Sequence, residues 1–115
     1  MNVNDLFPSK YLSGEDLVKS GEVFLTIKAV ERDALPDKAG DKVVKGVVRF
    51  EEEKRGLVLN RTNANRIAKM HSTETDNWVG KKITLYPESV EAFGKIVDAV
   101  RVRLEAPKLR SAESA

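Results

Sequence analysis

A chain of 115 residues is long enough for one domain with one modest hydrophobic core. Its residues are 41% hydrophobic and 33% charged, a balance that predicts a globular protein rather than a disordered one. The formal net charge is only +2, and the absence of cysteine excludes a disulfide framework and thiolate chemistry.

The net charge is unevenly distributed along the chain. Residues 1–22 sum to −2, whereas residues 23–104 hold sixteen Lys or Arg against twelve Asp or Glu. A mildly basic body is compatible with nucleic acid without requiring it. The first residues show no signal-peptide pattern, and no apolar run approaches the ~20 residues needed to span a bilayer, so we expect a cytosolic protein.

The first 22 residues are predicted to pack on the domain that follows them. Leu6 and Phe7 make this segment too apolar for a free tail. Ser13 and Asp16 have the spacing of a helix capping box. The sequence therefore predicts a short helical turn, which Gly21 ends.

Two strands are predicted next. Residues 23–31 alternate in side-chain polarity with a period of two, as a half-buried strand does. Residues 32–42 collect Asp, Pro and Gly and predict a long polar loop. Residues 43–51 form the second predicted strand, in which Gly46 indicates a bulge or a sharp bend. The charged residues 51–56 are expected to be a solvated turn.

Residues 55–68 are predicted to run from a strand directly into a helix. Residues 57–59 form the third strand, and Thr62 or Asn63 is expected to cap the helix. One helical face is largely apolar and consists of Ala64, Ile67, Ala68 and His71. The opposite face is polar and basic, with Asn65, Arg66 and Lys69.

Two further strands complete the predicted domain. Residues 81–87 are the fourth strand, which Pro87 is expected to end, and residues 88–94 are expected to be a loop. Residues 95–104 are the fifth strand. Residues 105–115 are polar and unpatterned, so we expect a disordered tail.

Five strands with one helix between the third and the fourth match the layout of a small OB-type barrel. The expected organisation is an N-terminal segment at 1–22, a mainly β barrel at 23–104 and a tail at 105–115. An SH3-like or other small barrel is the alternative fold, but such barrels usually carry no helix of this length at that place. The inward Val, Leu and Ile side chains of so small a barrel leave no ligand cavity.

Four stretches of the chain resemble a group of small uncharacterised bacteriophage and prophage proteins. They are LFPSKYL at 6–12, GLVLNRTNA at 56–64, WVGKKITLYP at 78–87 and VRVR at 100–103. The resemblance implies a phage or prophage origin, in the cytoplasm of a bacterial host and in a replication or recombination gene set. A phage or host replication or recombination protein is then an expected partner. The group brings no catalytic motif with it.

The residues predict no catalytic chemistry. His71 is the only histidine, and its position on the apolar helix face favours a packed side chain over a general base. A Ser/His/Asp arrangement, a phosphate-binding Gly-x-x-x-x-Gly-Lys loop and a spaced set of metal ligands cannot be assembled. We therefore expect a protein that is not an enzyme and needs no cofactor or metal.

The first functional hypothesis is binding of single-stranded nucleic acid, which OB barrels hold across strands two and three and their flanking loops. Cations would contact phosphates and exposed aromatic rings would stack on bases. The expected contact residues are Lys28, Lys45, Arg49, Asn60, Tyr86, Phe93, Arg101 and Arg103. A simpler interpretation of Arg101 and Arg103 is a solvated strand face, and Trp78 beside a helix–strand junction is more typical of a core side chain.

The second hypothesis is a protein-interaction or self-assembly module, because fold does not determine function. Several apolar side chains fall on nominally outer strand faces: Phe24, Val43, Val47, Val58, Val97 and Ala99. If these side chains form one exposed patch, that patch marks a partner surface. A basic outer face with an aromatic ring would instead favour nucleic acid.

Overall fold

The computed structural model describes residues 10–36, 39–92 and 94–105. Two α-helices, α1 (Gly14–Ser20) and α2 (Arg61–Met70), and a 3-10 helix (Thr75–Trp78) accompany five strands. The strands are β1 (Val23–Pro36), β2 (Lys42–Phe50), β3 (Leu57–Val58), β4 (Lys82–Ala92) and β5 (Lys95–Val102). The predicted mainly β class is confirmed, while the predictions for Leu6, Phe7 and the tail beyond residue 105 lie outside the described residues.

The five strands form one antiparallel sheet in the order β3-β2-β1-β4-β5. The long strand β1 joins its two halves, because residues 23–26 pair with β4 and residues 27–36 pair with β2. A register shift between Ile27 and Ala29 makes Lys28 the extra residue of a bulge, which bends β1 where it changes partner. Over the described residues β3 and β5 remain the two edges of the sheet, so strand pairing does not close the expected barrel.

Two regions that the sequence predicts as loops continue as paired strands. Residues 32–36 pair with residues 42–46, where residues 32–42 were expected to be a polar loop. Both faces of this β1–β2 ribbon meet solvent and none of its residues is fully buried, so it lacks the buried apolar face by which a sequence pattern marks a strand. Val44, two residues before Gly46 on the same strand face as the buried Val48, is 63% exposed because the ribbon extends past the core.

Pro87 does not end β4, which is a second correction to the predicted strands. The Arg103 N–H donates to the Thr84 carbonyl, so the backbone N–H and C=O groups of even-numbered β4 residues point toward β5. The backbone nitrogen of Pro87, an odd-numbered residue, points away from β5. β1 pairs with β4 only as far as Leu85, and proline therefore costs no ladder hydrogen bond there. β4 continues to Ala92 opposite Lys95, through the predicted loop.

The N-terminal helix begins at the predicted capping box, whereas α2 begins earlier than predicted. The N-cap of α2 is Asn60, whose side-chain oxygen accepts from the Asn63 N–H at 2.8 Å, so neither Thr62 nor Asn63 is the cap. The 3-10 helix occupies part of the predicted loop after α2. The capping box of Ser13 and Asp16 is present, but it opens a seven-residue helix rather than a single turn.

The core lies between the two halves of the sheet, with α1 and α2 packed against it. Trp78 is 2% exposed, and its indole N–H donates to the Ser72 carbonyl at 2.7 Å, so the ring is a structural side chain. The other large buried side chains come from every strand and both helices: Leu17, Leu25, Ile27, Val48, Phe50, Leu57, Ile67, Ile83, Leu85 and Val102. His71, which was expected to be packed, is half-buried with Nε2 3.2 Å from the Lys82 carbonyl oxygen.

Helices cover the free edge of β5 where a closed barrel would place β3. The buried Asn63 side chain donates to the Val100 carbonyl at 2.9 Å and accepts from the Val102 N–H at 3.0 Å, so its amide replaces a neighbouring strand. Arg66 donates to the Val102 carbonyl at 3.0 Å. Gly14 of α1 lies so close that a Cβ there would be 2.1 Å from the Asp98 carbonyl oxygen. This edge is thereby protected from pairing with another chain.

The charged turn at 51–56 is largely exposed, as predicted, and hydrogen bonds also attach it to β1 and α1. Glu52 accepts from the N–H and the hydroxyl of Thr26, both at 2.7 Å, and these bonds hold the pKa of Glu52 below its ordinary value. Arg55 contacts Glu53 and Asp16, each at 3.1 Å, which ties the turn to α1. Desolvation alone would raise the pKa of Asp16, but its bonds from Ser13 and the Arg55 charge together lower that pKa.

Candidate functional site

Arg49 on β2 lies in a cluster of opposite charges on the outer face of β1 and β2. Its Nε is 3.2 Å from Glu31, and its Nη2 is 3.0 Å from Asp33. The Tyr11 hydroxyl donates to the same Asp33 oxygen at 3.0 Å, and desolvation together with that bond raises the pKa of Tyr11. Two carboxylates therefore balance the guanidinium charge of Arg49, which leaves it poorly suited to hold a phosphate.

A second cluster, which we call the Tyr86 cluster, consists of Arg66, Tyr86, Glu88, Arg101 and Arg103. The Tyr86 hydroxyl accepts from Arg66 Nη1 at 3.1 Å and donates to Glu88 at 3.3 Å. Arg101 Nε donates to the other Glu88 oxygen at 3.0 Å. The register explains this contact, because Arg101 pairs with Tyr86 and lies diagonally from Glu88 across the strand pair.

The Arg103 guanidinium lies over the ring of Tyr86, with its Cζ 4.2 Å from the ring centroid. Arg103 also forms an ion pair with Glu22, and both side chains are well exposed. By contrast, the Arg101 side chain is only 16% exposed and is fixed on Glu88. Of these two arginines, Arg103, which directly follows β5, is the one whose charge a ligand can reach.

A groove of about 360 Å³ opens beside the Tyr86 cluster, between the end of β5 and α2. Its lining is mostly charged or aromatic: Arg66, Tyr86, Arg103, Leu104 and Glu105. Within the described residues no carboxylate lies within 4 Å of the Arg66 guanidinium, whose observed acceptors are the Tyr86 hydroxyl and the Val102 carbonyl. A half-buried arginine with only neutral acceptors keeps its full charge for an anion.

The structure brings together three of the eight sequence-predicted contact residues: Tyr86, Arg101 and Arg103. Lys28 is exposed at the bulge of β1, and Lys45 is exposed opposite Asp33 on the ribbon. Asn60 uses its side-chain oxygen to cap α2. Arg49 is in the separate cluster of opposite charges, and Phe93 lies outside the described residues.

Sequence reasoning missed Arg66 as a site residue. The sequence pattern places Arg66 on the polar face of the helix. It gives no sign that this side chain contacts β5, which it does through its bond to the Val102 carbonyl. One signal was present: residues 54–73 contain no Asp or Glu, which is unusual in a chain with 18 acidic residues. A long acid-free stretch with several cations points to an anionic neighbour.

The apolar outer patch expected from the sequence is interrupted. Val47 was assigned to the outer face of β2, yet it is fully buried, because Gly56 lies against it. The backbone of Gly56 in turn bonds to Lys10 and Leu12 on its other side. The exposed apolar side chains that remain lie mainly toward the strand ends: Phe24, Val43, Val44, Ile96 and Val97.

The described part of the chain contains no group of three or more His, Asp or Glu side chains able to hold a metal ion. Among the same residues, no helix has the length and apolar character required to traverse a lipid bilayer. Comparison with protein-family models, curated proteins and solved structures finds no match to this chain.

Proposed function

We propose that this protein binds single-stranded nucleic acid, with the Tyr86 cluster as its main contact surface. The observation that carries the proposal is the exposed guanidinium of Arg103 over the Tyr86 ring, next to the Arg66 charge that has only neutral acceptors. A planar cation above an aromatic ring offers a nucleobase a stacking surface, and the neighbouring cation offers a phosphate its counter-charge.

The layout of the strands supports the same proposal at the level of the fold. A long shared β1, a helix between β3 and β4 and the order β3-β2-β1-β4-β5 agree with an OB-type barrel that is open between β3 and β5. OB domains commonly bind oligonucleotides, although fold alone does not assign a function. The face of strands two and three that OB domains usually use for binding is less suitable in this chain, since Arg49 is paired with two carboxylates and Val47 is buried.

The expected energetics are favourable for a stacked base. The side of the Arg103 guanidinium that faces away from Tyr86 would receive the base, and base stacking is worth ~1–3 kcal/mol in single-strand binders. Opening an exposed ion pair such as Arg103 with Glu22 costs at most ~1 kcal/mol. The balance therefore permits a nucleic acid to displace Glu22.

The setting we propose follows from the resemblance to phage and prophage proteins. In a bacterial host cytoplasm, a binder of single strands would act in phage replication or recombination, where a phage or host protein of those processes would be its partner. Affinity purification from infected cells with and without nuclease treatment tests this setting. Loss of every partner after nuclease treatment would show that only nucleic acid connects them.

Fluorescence anisotropy with labelled oligo-dT and a matched duplex tests the binding function, at low and at moderate salt. We expect micromolar binding of oligo-dT that weakens with salt and decreases at least tenfold in Arg103→Ala. Arg32→Ala is the matched control, since Arg32 is an exposed arginine on the β1–β2 ribbon at the opposite end of β1. Absence of oligo-dT binding at low salt would overturn the proposal.

A self-association module is the second candidate function, favoured by the exposure of Ile96 and Val97 on the β4–β5 ribbon. Ile96 is 78% exposed and Val97 is 43% exposed, on opposite faces of the strand. Size-exclusion chromatography with light scattering would detect a dimer. Conversion of that dimer to a monomer by Ile96→Ser would favour this candidate, and a wild-type monomer at high concentration would eliminate it.

A further inference from the structure

Three exposed side chains form a basic and polar stripe along α2. Arg61, Asn65 and Lys69 are spaced at i, i+4 and i+8, which places them on one face of the helix, and all three are exposed. We call these three residues the α2 stripe. It lies within residues 54–73, which hold five Lys or Arg and no acidic residue.

The α2 stripe is not explained by the stability of the fold. The first turn of α2 has no acidic residue and begins with Arg61, and a cation at a helix N-terminus is unfavourable by ~0.3–1 kcal/mol. No carboxylate of residues 10–36, 39–92 and 94–105 forms an ion pair with Arg61 or Lys69. These charges therefore stay available at the surface.

Arg66 connects the α2 stripe to the Tyr86 cluster. Lys69 follows Arg66 by three positions, so their side chains are neighbours on the helix surface, and Arg66 Nη1 is 3.1 Å from the Tyr86 hydroxyl. From Arg61 to Lys69 the stripe extends about 12 Å along the helix axis. The cationic surface thus continues from the groove along α2 without an acidic interruption within the helix.

We propose that the α2 stripe is a second phosphate-contact surface, which holds the backbone of the same single strand whose base stacks at Arg103. This inference rests on the proposed function, and it assigns different roles to the two surfaces. The Tyr86 cluster contacts both a base and a phosphate. The α2 stripe has no aromatic side chain, so its contribution is electrostatic and independent of base identity.

The salt dependence of binding distinguishes these roles. For single strands the slope of log K against log salt concentration is ≈ −0.7 per neutralised phosphate. The double variant Arg61→Ala/Lys69→Ala should therefore reduce the magnitude of the slope by about 1.4, with equal effects on oligo-dT and oligo-dA. Arg103→Ala should in addition change the ratio of affinities for these two oligonucleotides, because it removes a stacking surface.

Lys19→Ala/Lys42→Ala is the matched control, since it removes two exposed cations from the end of α1 and the far end of the β1–β2 ribbon. We expect its salt slope to equal that of the wild type. We expect α2 to remain folded in the stripe variant, because both replaced residues are exposed and alanine favours helix. Circular dichroism and thermal unfolding test this.

The outcomes separate the two proposals. Binding by the wild type with an unchanged slope in the folded stripe variant would refute the α2 stripe and leave the proposed function intact. No binding by the wild type would refute both. Poly-glutamate and oligo-dT are also compared as competitors at equal total charge. If poly-glutamate competes for the stripe equally well, the surface binds acidic polypeptides and the proposal of a nucleic-acid backbone fails.

Discussion

Replacing Asn63 by alanine tests the way in which α2 closes the sheet. Asn63 is 1% exposed, and its amide makes two hydrogen bonds with the β5 backbone, at 2.9 Å to Val100 and 3.0 Å to Val102. Asn63→Ala leaves a carbonyl and an N–H at this buried edge without partners, at ~1–3 kcal/mol each. The better helix propensity of alanine offsets ~0.5 kcal/mol of this, so we expect a net loss of about 1.5–5.5 kcal/mol.

Thermal unfolding measures this loss. With an unfolding entropy of ~2.1 cal/mol/K per residue, 1 kcal/mol corresponds to about 4 °C in a chain of 115 residues. Asn63→Ala should therefore lower the melting temperature by about 6–22 °C. Asn65→Ala is the control, because Asn65 is exposed on the same helix and its replacement should change stability by less than ~0.5 kcal/mol. Equal melting temperatures for the two variants would refute the role assigned to Asn63.

Asn63→Asp gives the same test a pH dependence. The introduced carboxylate can still accept from the Val102 N–H, but it faces the Val100 carbonyl, which needs a donor. Burial and this unpaired carbonyl should raise the folded-state pKa of the new carboxyl above its unfolded value of ~3.9. The protonated form can donate to Val100, so the variant should gain stability relative to the wild type as pH falls through the raised pKa. A difference independent of pH between 4 and 7 would contradict this account.

Three further predictions concern other parts of the molecule. Gly14→Ala should destabilise the fold by more than ~2 kcal/mol in denaturant titration, because its Cβ would lie 2.1 Å from the Asp98 carbonyl oxygen; unchanged stability would mean that α1 does not pack so closely. Glu52→Gln should cost up to ~1 kcal/mol at pH 7, since its carboxylate accepts two bonds from Thr26 at an exposed position. The pKa of Glu52 is lowered from 4.5, so this stabilisation is complete above that pH, and the difference between variant and wild type should shrink as pH falls below it; a gap that widens in acid would contradict the shift. Ile96→Thr should leave the stability of the monomer within ~0.5 kcal/mol, as a 78% exposed side chain has little packing to lose, and a larger change in a dilute thermal melt would reveal an unrecognised contact.

The parts of the fold that the sequence predicted are those in which one face is buried. β-branched residues alternate in residues 23–31, and the buried Leu25 and Ile27 belong to that alternation. The capping box at Ser13 was predictable because its partners are three residues apart. Local signals of this kind led to the five strands, which are confirmed as one antiparallel sheet.

The parts that sequence reasoning missed depend on contacts between distant residues. Asn63 was interpreted as a helix cap because Asn is common at caps, but its partners on β5 are 37 and 39 residues away. Residues 32–36 were missed as a strand because none of them is fully buried, so no buried apolar face marks them in the sequence. Barrel closure was inferred from the number of strands and the place of the helix, although neither can show which groups cover the sheet edges.

The same limit applies to the candidate site. Arg49, Arg101 and Arg103 look alike as arginines on strands, yet their availability differs because the register sets their neighbours. Two carboxylates hold Arg49 and one holds the nearly buried Arg101, whereas Arg103 lies over a ring and its one ion pair, with Glu22, is solvent-exposed. Charge counting treats the three as equal, and only the partner of each side chain separates a structural arginine from one that a ligand can reach.

The two sides of α2 differ in burial and in the roles we propose for them. Asn63 and Ile67 face the core and are buried, so their replacement should destabilise the protein. Arg61 and Lys69 are exposed, so their replacement should weaken the proposed binding without destabilising the fold. Arg66 belongs to both sides, since it bonds to the β5 backbone and to Tyr86. Because the Asn63 and Arg66 side chains of α2 bond to the unpaired edge of β5, this edge is what brings the basic side of α2 next to Tyr86.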